Sequence, residues 1–154
     1  MSEAIRFELP DPFVADRVVV PEEIDRLGHA NNAFYLRWCE EAGWGHTAKT
    51  GCDFADWERL GRAMVVHRAS LHYQGACFAG DTLAIAVWLV ANDERLRATR
   101  RFQIVRRSDG ATVFRGDFVY ACVDLASGRP RRMPEEFKRA YAVLPSVAAA
   151  LAAR

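Results

Sequence analysis

Long apolar runs are missing from this 154-residue chain, and their absence argues against a membrane protein. No run approaches the roughly 20 residues that a membrane-spanning helix needs. The longest, residues 83–91, has only the length of a strand. The first six residues turn polar at once and show no hydrophobic core of a secretion signal. We therefore predict a cytoplasmic protein that does not bind a membrane.

An excess of charge is also missing. The chain carries 21 basic and 20 acidic residues, which gives a net charge of +1. Domains that bind nucleic acid usually concentrate a strong basic excess on one surface. We therefore predict no nucleic-acid partner.

Cysteine is sparse and scattered. The four cysteines stand at positions 39, 52, 77 and 122, with no CxxC motif, and each lies in or beside an apolar run. This pattern predicts buried free thiols in a reducing compartment, with a cysteine nucleophile as the alternative. No two of the four histidines have the spacing of a zinc motif, so we predict no metal site.

The first half of the chain predicts a strand, a loop and a long helix. Residues 13–20 form the strand and the polar residues 21–32 the loop. A helix is expected over 33–49, with Asn31 or Asn32 as its N-cap and Gly51 just past its end. Apolar residues cover most of its circumference, which predicts a largely buried helix. Gly43 in its middle costs about 1 kcal/mol relative to alanine, so a close packing contact is expected there.

The second half has the period of two that is typical of strands. After a connector at 53–61 that includes a helical turn at most, strands are expected at 64–73, 81–91, 95–107 and 111–124. Turn residues separate the last three strands, which predicts antiparallel hairpins. Arg100 falls on an otherwise apolar face and should have a partner or line an interface. A terminal helix should open at Pro134 and end at Pro145, with Ser146 capping a short tail helix.

One α+β domain, residues 1–154, follows from this order of elements. A five-stranded antiparallel sheet would wrap around the long helix. Such a sheet leaves an edge or a face open, so we predict a homodimer.

The loop that precedes the long helix carries the strongest candidate chemistry. Asp25 stands three residues before Gly28, His29 follows, and Asn31 and Asn32 open the helix. Helix N-termini present free N–H groups and a partial positive charge that suit a developing anion. A carboxylate nearby can act as nucleophile or general base. The alternative is a purely structural loop in which these side chains satisfy backbone groups.

The run from Asp25 to Tyr35, D-x-x-G-H-x-N-N-x-x-Y, resembles the signature of the 4-hydroxybenzoyl-CoA thioesterase-like family of hotdog proteins. Residues 66–73, the Gly80–Asp81 turn, residues 128–130 and residues 133–135 resemble later parts of the same family. The resemblance implies a hotdog fold, in which a curved sheet wraps around a long helix. It also implies dimers or tetramers with active sites between subunits. The implied activity is hydrolysis of acyl-CoA thioesters without metal or redox cofactor.

The same resemblance assigns roles to single residues. Asp25 matches the catalytic carboxylate, and Gly61 matches a glycine whose N–H binds the thioester oxygen. Four further residues are predicted to contact the substrate: His29, Asn31, Asn32 and Tyr35. Glu40 or Glu41 on the helix is a reserve candidate for the base, with a solvated or salt-bridged helix face as the alternative. Glu23 stands two residues before Asp25, where many relatives have a second acid. The basic run at Arg129, Arg131 and Arg132 suits the phosphates of coenzyme A, with an ordinary charged surface as the alternative.

Three functions fit these residues. The first is hydrolysis of an aromatic or a short- to medium-chain acyl-CoA, with Asp25 as nucleophile or general base. The second is binding of acyl-CoA without catalysis, which would use the same pocket. The third is an acyl-CoA hydratase or dehydratase, although those enzymes carry a different motif in which the histidine leads.

Overall fold

The computed structural model describes residues 4–154. Its strands are β1 (Phe13–Val18), β2 (Arg62–Tyr73), β3 (Thr82–Asn92), β4 (Arg97–Arg106) and β5 (Thr112–Asp124). Its α-helices are α1 (Asn32–Lys49), α2 (Phe54–Leu60), α3 (Glu135–Ala140) and α4 (Pro145–Ala152), and a short 3-10 helix covers Pro21–Glu23. The strands form one sheet in the order β1-β3-β4-β5-β2, with every pair antiparallel. The predicted α+β arrangement of five strands and one long helix is confirmed.

The long helix α1 begins as the sequence predicts. Asn31 is its N-cap, and the side-chain oxygen of Asn31 accepts the N–H of Ala33 at 3.0 Å. Tyr35, Trp38 and Ala42 lie on its buried face against the sheet. The prediction of a largely buried helix is wrong for the single chain, because the opposite face, including Trp44, is exposed.

Three helices differ from the pattern-based prediction. The connector at 53–61 contains the complete helix α2, which Asp53 caps by accepting the N–H of Asp56. Near the C-terminus the helix predicted to reach Pro145 ends at Ala140. Pro145 begins α4 instead of ending a helix, because its fixed φ suits a first helical turn. The cap position of α4 is therefore Leu144 and not Ser146.

The two faces of the sheet are covered by different elements, while the edge formed by β2 is open. Helix α1 covers one face, and a small second core around Leu9, Trp88 and Val147 joins the N-terminal segment and α4 to the other face. The edge strand β2 stays uncovered in the single chain, and its residues 65–70 are all exposed. A twelve-residue strand with unpaired backbone groups is a ready surface for pairing with another strand.

Candidate active site

Asp25 is held in a tight turn at the entrance to α1. Its N–H donates to the carbonyl of His29 at 3.1 Å, and its carboxylate oxygen Oδ1 accepts the N–H of Leu27 at 2.8 Å. Gly28 has a φ of +85°, a left-handed conformation that glycine adopts without strain. The turn fixes the position of the Asp25 carboxylate on a half-buried residue.

Asn31 connects this carboxylate to the helix. Its Nδ2 donates to Oδ2 of Asp25 at 3.2 Å, while its Oδ1 caps Ala33. The amides of Asn31 and Phe34 donate to the carbonyls of Glu23 and Asn31. Among the first amides of α1, these bonds leave the N–H of Asn32 without an acceptor in residues 4–154. A hydrogen-bond donor and a carboxylate therefore meet at the positive end of the helix dipole.

Glu23 is a buried carboxylate that lies two residues before Asp25. It is only 3% exposed and forms an ion pair with Arg17. Its Oε1 accepts a hydrogen bond from Trp38 Nε1 at 3.0 Å, and its Oε2 accepts the N–H of Val20 at 3.0 Å. Burial alone would raise the pKa of Glu23. The hydrogen bonds from Trp38, Val20 and Arg17 and the charge of Arg17 outweigh burial and lower this pKa below its ordinary value. Glu23 is thus an ionised structural carboxylate at neutral pH.

Replacing Glu23 with glutamine is expected to lower the free energy of unfolding by about 2 kcal/mol at pH 7, because the buried carboxylate that accepts from Trp38 and Val20 loses its charge, while Arg17 keeps its ion pair with Glu41. The folded-state pKa of Glu23 lies below the unfolded value. Its contribution is therefore present above pH ~4.5 and is lost as the pH falls through the folded-state pKa. Thermal unfolding between pH 7 and pH 3 measures this, and E23Q should show a weaker loss of stability in acid than the wild type. Parallel curves for the two proteins would contradict the role of Glu23.

His29, Asn32 and Tyr35 come together beside the turn. They line an open pocket of about 340 Å³ with Tyr73 and the segment that follows it. The Tyr73 hydroxyl donates to the carbonyl of Asn32 at 3.1 Å, and the Tyr35 hydroxyl donates to the carbonyl of Gly75 at 3.2 Å. Tyr35 is 2% exposed, so its main contacts are with the aromatic core. His29 is half-buried at the wall of this pocket.

Gly61 lies far from Asp25 within one chain. It ends α2 with a φ of +63°, and its N–H donates to the carbonyl of Glu58 at 3.2 Å. Strand β2 runs from Arg62 next to it to Tyr73, the residue that contacts Asn32. Twelve strand residues span roughly 35 Å at about 3.3 Å per residue. One chain alone therefore does not bring Gly61 and Asp25 together.

The two helix glutamates differ in their surroundings. Glu41 pairs with Arg17 at 2.6 Å and with Arg37 at 3.3 Å. Glu40 makes no ion pair with the described residues and lines a second cavity of about 300 Å³ between α1 and β2. Trp44 and Trp57 line this cavity too, and buried Arg100 forms part of its wall. Two features of the sequence indicated a special packing contact at this cavity, namely Arg100 on an apolar strand face and Gly43 inside a helix.

The cysteines and His46 give no sign of a second reactive centre. All four cysteines are free and buried, and burial raises the pKa of Cys52 and Cys122 to about 11. His46 lies on the core side of α1, and its Nδ1 is buried without a hydrogen-bond partner among residues 4–154. Within residues 4–154, no three His, Cys, Asp or Glu side chains form a metal-binding group. None of the helices in that range is both long and apolar enough to cross a membrane.

The chain resembles known proteins in sequence. A Synechocystis protein, whose name assigns it esterase activity provisionally, is 31% identical over 117 residues, or 75% of this chain and 70% of the relative. Protein THEM6 of Danio rerio is 32% identical over 107 residues, or 69% of this chain. The chain spans 51% of the length of that second relative.

Solved structures resemble the chain in fold. A 1,4-dihydroxy-2-naphthoyl-CoA thioesterase from Synechocystis superposes with a TM-score of 0.76 at 17% identity, covering 85% of this chain and 96% of that one. A Staphylococcus aureus protein solved in complex with CoA superposes with a TM-score of 0.79 at 16% identity, covering 87% and 84%. These matches confirm the predicted hotdog fold. The family model of the Thioesterase-like superfamily matches residues 19–141, from the end of β1 to just past α3, and the chain belongs to this superfamily.

Proposed function

We propose that this protein hydrolyses the thioester of an aromatic or a short- to medium-chain acyl-CoA, with Asp25 as nucleophile or general base. The observation that carries the proposal is the position of the Asp25 carboxylate. Two side-chain hydrogen bonds hold it at the N-terminus of α1, next to the pocket that His29 and Asn32 line. Family membership supports the reaction class, since the chain belongs to the Thioesterase-like superfamily.

Two routes use this carboxylate. As a nucleophile, Asp25 attacks the thioester carbon, the C–S bond breaks, and the coenzyme A thiolate leaves. Water then hydrolyses the resulting anhydride to the free acid and regenerates Asp25. As a general base, Asp25 takes a proton from water while the water oxygen attacks the carbonyl, and the thiolate leaves with the proton returned to it. Both routes place negative charge on the carbonyl oxygen, which the free N–H of Asn32 and the helix dipole would stabilise.

A dimer through β2 completes the site. Two copies of the exposed β2 edge pair antiparallel about the middle of the strand, as a two-fold axis requires. Arg62 of one copy then lies near Tyr73 of the other, so Gly61 of one copy approaches Asn32 and His29 of the other. The cavity between α1 and β2 opens beside the same place, and we assign it to the acyl group. A homotetramer would contain two such dimers.

The coenzyme A end of the substrate has its own candidates. Arg62 Nε donates to the carbonyl of Arg132 at 3.3 Å, so the basic run lies beside Gly61. Arg131 is paired with Asp124 at 2.9 Å, whereas Arg129 and Arg132 are exposed. We assign Arg129 and Arg132 to the phosphates of coenzyme A. Four free, buried cysteines accord with a reducing compartment, and we place the enzyme in the cytoplasm.

The test is thiol release from a panel of aromatic and aliphatic acyl-CoAs, followed with a thiol reagent. We expect turnover with at least one member of the panel. Tight binding of the panel without thiol release would contradict catalysis and favour the binding function. A change in enoyl-CoA absorbance without thiol release would instead favour a hydratase. No contact among the described residues specifically supports that function.

A further inference from the structure

Arg100 is a buried cation in the wall of the cavity between α1 and β2. It is 3% exposed and lies on the sheet face that packs against α1. Its Nη1 donates to the Tyr120 hydroxyl at 3.1 Å and its Nη2 to the Thr47 hydroxyl at 3.0 Å. The guanidinium also lies over the rings of Tyr120 and Tyr141, at 5.2 and 5.3 Å from their centroids.

None of these contacts neutralises the charge. Arginine stays protonated in proteins and has five N–H donors. Two of the five bond to hydroxyls, Nε is buried without a partner, and no carboxylate within residues 4–154 forms an ion pair with Arg100. Burial raises the pKa of Tyr120, and it raises that of Tyr141 to about 12, so both phenols are neutral at pH 7. A buried charge without a counter-ion is strongly unfavourable.

The surrounding structure makes room for this cation. A Cβ atom on Gly43 would lie 3.1 Å from Nη1 of Arg100, so a side chain at this position would press against the guanidinium, whereas glycine leaves it room. Burial lowers the pKa of nearby His46 to about 4, and the charges of Arg100 and Lys49 act in the same direction. The His46 ring is therefore neutral at pH 7 as well. Glu40, at the same cavity, is exposed and makes no ion pair with Arg100. The cavity therefore combines an apolar, aromatic wall with a buried guanidinium that makes no ion pair with a carboxylate of residues 4–154.

We propose that Arg100 binds a carboxylate at the far end of the acyl group, so that the preferred substrate is the mono-CoA thioester of a dicarboxylic acid. This rests on the proposed thioesterase function and on the assignment of the cavity to the acyl group. The planar guanidinium matches a carboxylate in two parallel hydrogen bonds, and the second N–H groups of Nη1 and Nη2 supply the donors. The apolar lining, with Trp44, Trp57 and Met64, packs against the methylene chain between the thioester and the carboxylate.

The test compares matched substrates on two arginine variants. Dicarboxylyl-CoAs of four to eight carbons are paired with thioesters whose terminal carboxylate is replaced by an isopropyl group, for example glutaryl-CoA with 5-methylhexanoyl-CoA. We expect the wild type to prefer the carboxylate member of at least one pair by about 100-fold in kcat/KM. Arg100→Met should reduce that preference to less than about threefold. Arg101→Met is the matched control, because Arg101 points to the other face and pairs with Asp117 at 2.8 Å, and its preference should equal the wild-type value.

Binding separates this inference from the proposed function. Ketone analogues, in which a methylene group replaces the thioester sulfur, are titrated by calorimetry into wild type, Arg100→Met and Arg100→Lys. A wild-type preference for the carboxylate analogue that weakens in Arg100→Lys and is lost in Arg100→Met supports the inference, even if no thioester is hydrolysed. Equal binding of both analogues by the wild type overturns it, whatever the turnover. A variant that keeps the preference but no longer dimerises would show that Arg100 meets a carboxylate of a second copy, which also overturns it.

Discussion

Replacing Asp25 with asparagine is expected to lower kcat for the best acyl-CoA substrate by roughly 10²–10⁴-fold, because the neutral amide neither attacks the thioester nor accepts a proton from water. Asparagine keeps an oxygen that can accept the N–H of Leu27, as Oδ1 of Asp25 does at 2.8 Å. The turn should therefore persist, with a melting temperature within a few degrees of the wild type. Steady-state thiol release and thermal unfolding measure the two quantities.

Asp93→Asn is the matched control for this substitution. The Asp93 carboxylate also accepts backbone amides in a turn, those of Arg95, Leu96 and Arg97, but it lies in the hairpin between β3 and β4. Its variant should keep wild-type turnover. If Asp25→Asn also kept it, the assigned mechanism would be wrong and Glu40 would become the leading candidate base. A single turnover in ¹⁸O-labelled water tests the nucleophilic route. Water attack on the Asp25 carbonyl of the anhydride leaves an unlabelled Asp25 oxygen in the product, whereas the general-base route always labels the product.

Local patterns predicted most of the fold. The N-cap at Asn31, the strands and the hairpins follow from hydrogen-bonding side chains, a period of two and turn residues, all of which act within a few positions. The boundary at Pro145 was wrong because proline suits both the position after one helix and the first turn of another, and local sequence does not choose between them. Helix α2 was underestimated for a similar reason, since seven residues give little periodicity.

The candidate site was predicted in part. The contact between Asp25 and Asn31 at the start of α1 follows from local sequence, because the two residues are six positions apart, and the structure shows that contact. The separation of Gly61 from Asp25 depends on the direction of β2 and on the sheet order, which single-sequence patterns do not contain. Arg100 and Gly43 are each an exception to the pattern of their own element. Their contact across 57 residues of sequence depends on the packing of α1 against β4, which local patterns do not contain.

Mixing two inactive variants is expected to restore about a quarter of wild-type activity if the site forms between two copies. Asp25→Asn removes the carboxylate. Gly43→Leu blocks the cavity, because its side chain begins 3.1 Å from Arg100 Nη1, while leucine suits the helix better than glycine. After subunits exchange, half of the dimers contain one copy of each variant. Each such dimer has one site built from the wild-type Asp25 of one copy and the open cavity of the other.

Thiol release after mixing, with heterodimers quantified by differential tagging, measures the restoration. Each variant mixed with itself should stay inactive. The double variant Asp25→Asn/Gly43→Leu, mixed in equal amount with wild type, provides the second control: sites between copies lower the total to about a quarter of the activity of all-wild-type protein, whereas sites within one chain leave about half. Heterodimers that form without any recovered turnover would show that Asp25 acts on a substrate bound in the cavity of its own chain. The roughly 35 Å length of β2 separates Gly61 from the Asp25 turn of the same chain, and this separation argues for sites that form between two copies.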